Sequence, residues 1–107
     1  MERKLFVAQR LTAMLLAVLV VIHLGLILYA VRGGLTAAEI LARTQDNIFW
    51  AIFYGLFVLI VAIHAPLGVR KVLQEWTGLE HSAINSFCWL FSLLLLVLGF
   101  RAVAAVV

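Results

Sequence analysis

Charge is what this chain has least of. Asp, Glu, Lys and Arg make up 12% of its 107 residues, about half the share of a soluble globular domain. With 66% hydrophobic residues, that excludes a soluble globular fold. Cysteine is nearly absent too. Cys88 stands alone, which excludes an internal disulfide and a thiol set for an iron–sulfur cluster, and leaves it a packing role. There is no flavin fingerprint and no internal repeat. Proline occurs once, as Pro66.

What is present is apolar length. The stretches 11–31, 48–69 and 82–100 contain no Asp, Glu, Lys or Arg. Each approaches the ~20 residues needed to cross a hydrocarbon core of ~30 Å. Backbone polar groups in lipid must be satisfied within the segment, so each run reads as a helix. The expected fold is an all-α membrane protein, one transmembrane domain over 1–107. Its helices run from about 8–32, 47–76 and 82–106. No room remains for a soluble catalytic domain. Arg3, Lys4 and Arg10 precede the first span and Arg70 and Lys71 follow the second. Arg32, Arg43 and Arg101 lie at the other ends. Five cations against three put the N-terminus inside. The net charge of +3 therefore speaks to orientation, not to nucleic acid.

Local signals punctuate the spans. Residues 1–10 suit an amphipathic lead-in. The apolar run behind them exceeds a signal-peptide core, so the first helix is expected to be retained. Gly33-Gly34 ends it. Thr36-Ala37-Ala38-Glu39 is a capping box that opens a short interfacial helix through Arg43. Asp46 or Asn47 can cap the second span, and Phe49, Trp50 and Tyr54 suit an aromatic belt. Pro66 should bend that helix. Gly78 ends its inner extension and Ser82 can cap the third span, with Trp76 and Trp89 bracketing the inner interface. Asn85, Ser86 and Ser92 are the polar exceptions in a third helix that otherwise reads as packing.

The stretch from His64 to Trp76 carries the chemistry. Residues four, seven and eleven apart nearly superpose on a helix. His64, Gly68, Lys71 and Glu75 therefore share a face. Gly68 leaves room for a flat group beside His64, and Arg70 and Lys71 stand where acidic groups on it would emerge. The combination reads as a haem ligand, a slot for the macrocycle and a clamp for its propionates. The plainer alternative is a packing histidine bonded to a neighbouring helix, with the cations as orientation anchors.

The pattern His64-x3-Gly68-Val69-Arg70-Lys71-x3-Glu75-Trp76 resembles the second helix of the membrane-anchor cytochrome b subunits of succinate dehydrogenase and fumarate reductase. Gln9-Arg10-Leu11-Thr12-Ala13 is similar to the start of their first helix. The resemblance implies that His64 is an axial ligand of haem b. It implies that Arg10 lies near the propionates and the quinone, and that Glu75 and Trp76 border the quinone. It also implies three partners: a second anchor chain, homologous or a second copy, that supplies the other axial ligand, an iron–sulfur subunit and a flavoprotein subunit. The chain itself would not oxidise succinate but would share the quinone site. Three positions depart from the family. Trp76 replaces a tyrosine and can only donate through its indole N–H. Phe6 replaces a serine and cannot bond a quinone. Lys71 stands where histidine is frequent.

His23 lies deeper, roughly 12 Å from the level of His64 by helix rise. Two ligands of one iron cannot be so far apart in depth. His23 either packs or serves a second haem with a partner chain. His81, beside Glu80, is expected to be solvated. Two other classes are open: a cofactor-free structural or assembly protein, and a small transporter. The latter usually carries an intramembrane carboxylate, and none of the three runs has one. Glu2 breaks the acid-poor pattern of a mitochondrial presequence, so the expected location is a bacterial inner membrane.

Overall fold

A computed structural model of the chain describes residues 2–107. Among them lie four helices and no strand: α1 (Glu2–Gly33), α2 (Ala37–Thr44), α3 (Ile48–Trp76) and α4 (His81–Val106). α1, α3 and α4 are each long and apolar enough to cross a membrane. The all-α architecture with three spans is the one expected. The bundle measures 48 × 23 × 23 Å, so its long axis exceeds a ~30 Å hydrocarbon core.

One boundary needs correction. The first helix does not start near residue 8; it runs back to Glu2. No Gly or Pro interrupts residues 2–10, and Leu5, Ala8 and Gln9 are half-buried. The lead-in thus joins the stripe that packs inward. Met1 lies outside the described residues.

α3 stands between the other two spans. It packs most extensively on α4 and next on α1, while α1 and α4 share no comparable contact. The inward face of α1 is written in its sequence: Leu5, Gln9, Thr12, Leu16, Leu19, His23, Leu26 and Ala30 are buried or half-buried. Their spacing alternates four and three, the period of a helix seam of the coiled-coil type. Leu19, Phe53 and Ile60 form the core of that seam. Trp50 and Tyr54, expected in an outer belt, are half-buried and pack against the same core.

The α3–α4 seam depends on close approach. An added Cβ on Gly99 would stand 2.5 Å from Val58 Cγ1. Small residues permit such contact where lipid supplies no hydrophobic drive.

Pro66 and Ser92 are linked across this seam. α3 continues through Pro66 to Trp76. A proline has no N–H to give the carbonyl four residues earlier, here Ala62. The Ser92 hydroxyl of α4 donates to that carbonyl oxygen at 2.8 Å. Ser92 therefore does more than pack; it satisfies an acceptor that the proline leaves open. Ser92→Ala is expected to cost about 1 kcal/mol, within the range for interhelical bonds in membranes and for orphaned acceptors. In a Pro66→Ala background the restored N–H should reduce that cost to near zero. Equal costs in the two backgrounds, measured by unfolding in detergent, would contradict the link.

Call the end where α1 begins the near end, and the end holding α2 the far end. At the far end Gly34 takes φ 120° and its N–H donates to Ala30 O at 2.9 Å. The capping box forms: Glu39 N donates to Thr36 Oγ1 at 3.2 Å and the Thr36 hydroxyl donates to Glu39 Oε1 at 2.8 Å. Arg43 Nη2 donates to Gly34 O at 2.7 Å. The Thr44 hydroxyl donates to Val106 O and Asp46 N to Val107 O at 3.2 Å. Carbonyls beyond the last full turn of α4 are thus satisfied by the α2 segment. Asn47 caps α3, its Oδ1 accepting from Phe49 N at 3.0 Å. α4 is capped by Glu80 without a side-chain bond. Ser82, expected as the cap, lies inside the first turn. Thr77 is the C-cap of α3, so the helix ends at Trp76, two residues before Gly78.

Candidate functional site

The antiparallel run of α1 and α3 brings Thr12 opposite His64 at the near end. Thr12 is buried and His64 half-buried. Thr12 Oγ1 and His64 Nδ1 stand 3.1 Å apart. The same oxygen lies 2.7 Å from Ala8 O and 3.1 Å from Gln9 O. Among the described residues this is the only hydrogen bond of the His64 ring, so Nε2 is unbonded.

Gly68 lies one turn further along α3, also facing α1. The space beside it is not an open slot: an added Cβ would stand 3.3 Å from Gln9 Nε2. The glycine lets the Gln9 amide lie against α3. Gln9 is a flexible side chain, so this boundary can move.

Two buried side-chain atoms among the described residues have no hydrogen-bond partner, Gln9 Oε1 and Arg70 Nε. Gln9 lies against Gly68 on the α1–α3 seam, whereas Arg70 stands on the side of α3 turned toward α4. An orphaned buried polar group costs about 1–3 kcal/mol, so each atom is stabilised by any further partner that reaches it. A guanidinium N–H needs an acceptor and an amide oxygen needs a donor.

The other expected site residues divide by face. Lys71 and Glu75 are exposed, seven and eleven residues past His64 and thus on its face. Trp76 is 82% exposed in the last turn of α3. Arg10 is exposed and lies 5.5 Å over the Phe6 ring. Two residues from Thr12, it is turned about 200° around α1 and points away from the α1–α3 seam. The geometry therefore gathers Gln9, Thr12, His64 and Gly68, and leaves Arg10 on the outer flank at the same level. Arg70, expected beside them, is two residues past Gly68 and so turned about 200° around α3, toward α4, where its charge comes within reach of Cys88.

His23 sits far from this group. Thr12 marks the level of His64, and position 23 lies about 16 Å further along α1, somewhat beyond the 12 Å expected. Its ring meets Phe57 edge-on at 5.4 Å and Tyr54 at 6.1 Å. A groove of about 390 Å³ beside it is lined by Tyr54, Phe57, Gly99, Val103 and Thr44. His81 opens α4 and is exposed. No group of three His, Cys, Asp or Glu side chains comes together among the described residues, so each histidine would have to act singly.

Two residues that sequence reasoning missed now belong to the site. Thr12 and Gln9 entered only as part of the family-like start of the first helix, with no role of their own. Their signal is the alternating four-three spacing that puts them on the buried stripe with His23.

The arrangement offers one imidazole nitrogen to a metal and cationic donors to acidic groups. No curated protein and no solved structure matches the chain. A family model described as the succinate dehydrogenase/fumarate reductase transmembrane subunit matches residues 2–105. With three apolar spans and that match over nearly its whole length, the chain belongs to the transmembrane subunits of succinate dehydrogenase and fumarate reductase.

Proposed function

We propose that this subunit binds haem b through His64 and helps pass electrons from soluble subunits to membrane quinone. The observation that carries the reading is the His64 ring, held through Nδ1 by a neighbouring helix with Nε2 free. A ligand histidine is oriented in this way, by a bond to its other nitrogen.

The residues fit the group. His64 Nε2 would be the atom that holds the haem iron. The exposed Lys71 ammonium, on the same face of α3, suits a propionate. Gly68 and the movable Gln9 amide set the edge of the space between helices. When bound, the haem would supply a one-electron reservoir or relay. The chain's own work is to hold that group and to border the quinone. Trp76 can donate its indole N–H to a quinone carbonyl, and Glu75 beside it can exchange a proton. Arg10, on the outer flank, is open to quinone or to a neighbouring chain.

A second anchor chain, homologous or a second copy, would provide the opposite ligand, since no other histidine of this chain stands at the level of His64. Flavoprotein and iron–sulfur subunits would dock at the near end, where Arg3, Lys4 and Lys71 are exposed. We take that end to be cytoplasmic, in a bacterial inner membrane; the basic balance supports the orientation. His23, wedged against two aromatic rings, packs. The test is haem quantification in the purified complex, with mass spectrometry of the co-purifying chains. Haem b together with a second anchor chain is expected. A fully assembled complex without haem would favour a cofactor-free anchor.

A further inference from the structure

We infer that Thr12 is a positioning residue that fixes the tautomer of His64. This rests on the haem reading for its purpose, though not for its geometry. A hydroxyl has one proton. Three acceptor-capable atoms surround Thr12 Oγ1: Ala8 O at 2.7 Å, Gln9 O at 3.1 Å and His64 Nδ1 at 3.1 Å. The two carbonyls can only accept. The distances then decide where the proton goes. An O–H···O bond is typically ~2.7–2.8 Å and an N–H···O bond ~2.9–3.0 Å. The contact with Ala8 matches the first and the contact with His64 the second. The Thr12 proton is therefore committed to Ala8 O, and His64 Nδ1–H donates to Thr12 Oγ1.

The consequence falls on the other nitrogen. With the proton on Nδ1, Nε2 keeps its lone pair, the form that coordinates a metal. The reverse tautomer would put an N–H on Nε2, where no acceptor lies among the described residues. In lipid that donor would stay unsatisfied. Thr12 is 7% exposed, so water does not compete for its oxygen. The ring is thus set before any cofactor arrives.

The experiment uses the full chain in lipid bilayers, labelled with ¹⁵N-histidine. The His64 signal is identified by its loss in His64→Asn. Solid-state NMR of the haem-free chain should show His64 protonated at Nδ1. Thr12→Val, similar in shape but without the oxygen, should shift the ring toward the Nε2–H form, and Thr12→Ser should restore the original signature. In the assembled complex Thr12→Val should weaken haem retention by about 10–100-fold, the usual effect of removing a partner of a ligand histidine. An Nε2–H ring in the unsubstituted chain, or an unchanged ring in Thr12→Val, would overturn the inference. So would unchanged haem retention with a shifted tautomer. Because the NMR arm needs no haem, a chain that never binds haem would refute the cofactor reading separately.

Discussion

On the proposed haem reading, His64→Ala is expected to abolish the reduced b-type absorption band of the purified complex, while His23→Ala is expected to leave it in place. That outcome follows from depth and from bonding. The two rings are about 16 Å apart along α1, measured from Thr12, so one cannot replace the other on a single iron. His64 is oriented through Nδ1 with Nε2 free. His23 lies edge-on to Phe57 and Tyr54, contacts that a packing histidine makes. The effect of His64→Ala should be all-or-none, because losing an axial ligand removes the bond that retains the group. The effect of His23→Ala should appear in stability, as a cavity cost of roughly 1–3 kcal/mol. Measurement is by reduced-minus-oxidised spectra at matched levels of assembled complex. A His23→Ala complex that keeps about half its haem would assign that ring to a second centre.

The second large effect is expected at Gly99. Replacing a helical glycine with leucine would normally gain up to about 1 kcal/mol of helix propensity. Here the added carbon meets Val58 Cγ1 at 2.5 Å, Cγ2 at 2.9 Å and Cβ at 3.2 Å. These atoms are the stem of a β-branched side chain, which has one preferred rotamer in a helix and cannot swing aside. α4 must move away from α3, across the most extensive seam of the bundle. Overpacking costs about 1–3 kcal/mol, so for Gly99→Ala the clash only modestly exceeds the propensity gain. Gly99→Leu should reach the upper end of that range. Val58→Ala should recover much of the loss, because it removes the atoms in the way. Unfolding of the single and double variants in detergent reads the coupling. A Gly99→Leu chain as stable as the parent would refute the close seam.

Much of the fold could be read from one dimension because membranes impose one-dimensional rules. Charge-free runs of span length mark helices whatever their partners. The Thr36–Glu39 box and the Asn47 cap are local and were legible for the same reason. The shared face of His64, Gly68, Lys71 and Glu75 follows from helix period alone. What was hidden depends on how helices pair. Pro66 announces that the Ala62 carbonyl lacks its usual donor, yet only the pairing of α3 with α4 shows that Ser92 supplies one. Thr12 and Gln9 become site residues only when α1 lies antiparallel against α3. Gly68 was expected to open a slot, and the structure puts the Gln9 amide there, because a missing Cβ invites whichever neighbour packs first. Helix winding turns Arg10 away from the α1–α3 seam, a point its sequence distance from Thr12 already contained.

A density map of the assembled membrane complex around His64 tests this account most directly. The expected result is a porphyrin whose iron is bound by His64 Nε2, with Thr12 Oγ1 still against Nδ1 and an imidazole from another chain on the opposite face. An imidazole facing acyl chains, or engaged through Nε2 by protein alone with no porphyrin beside it, would contradict it.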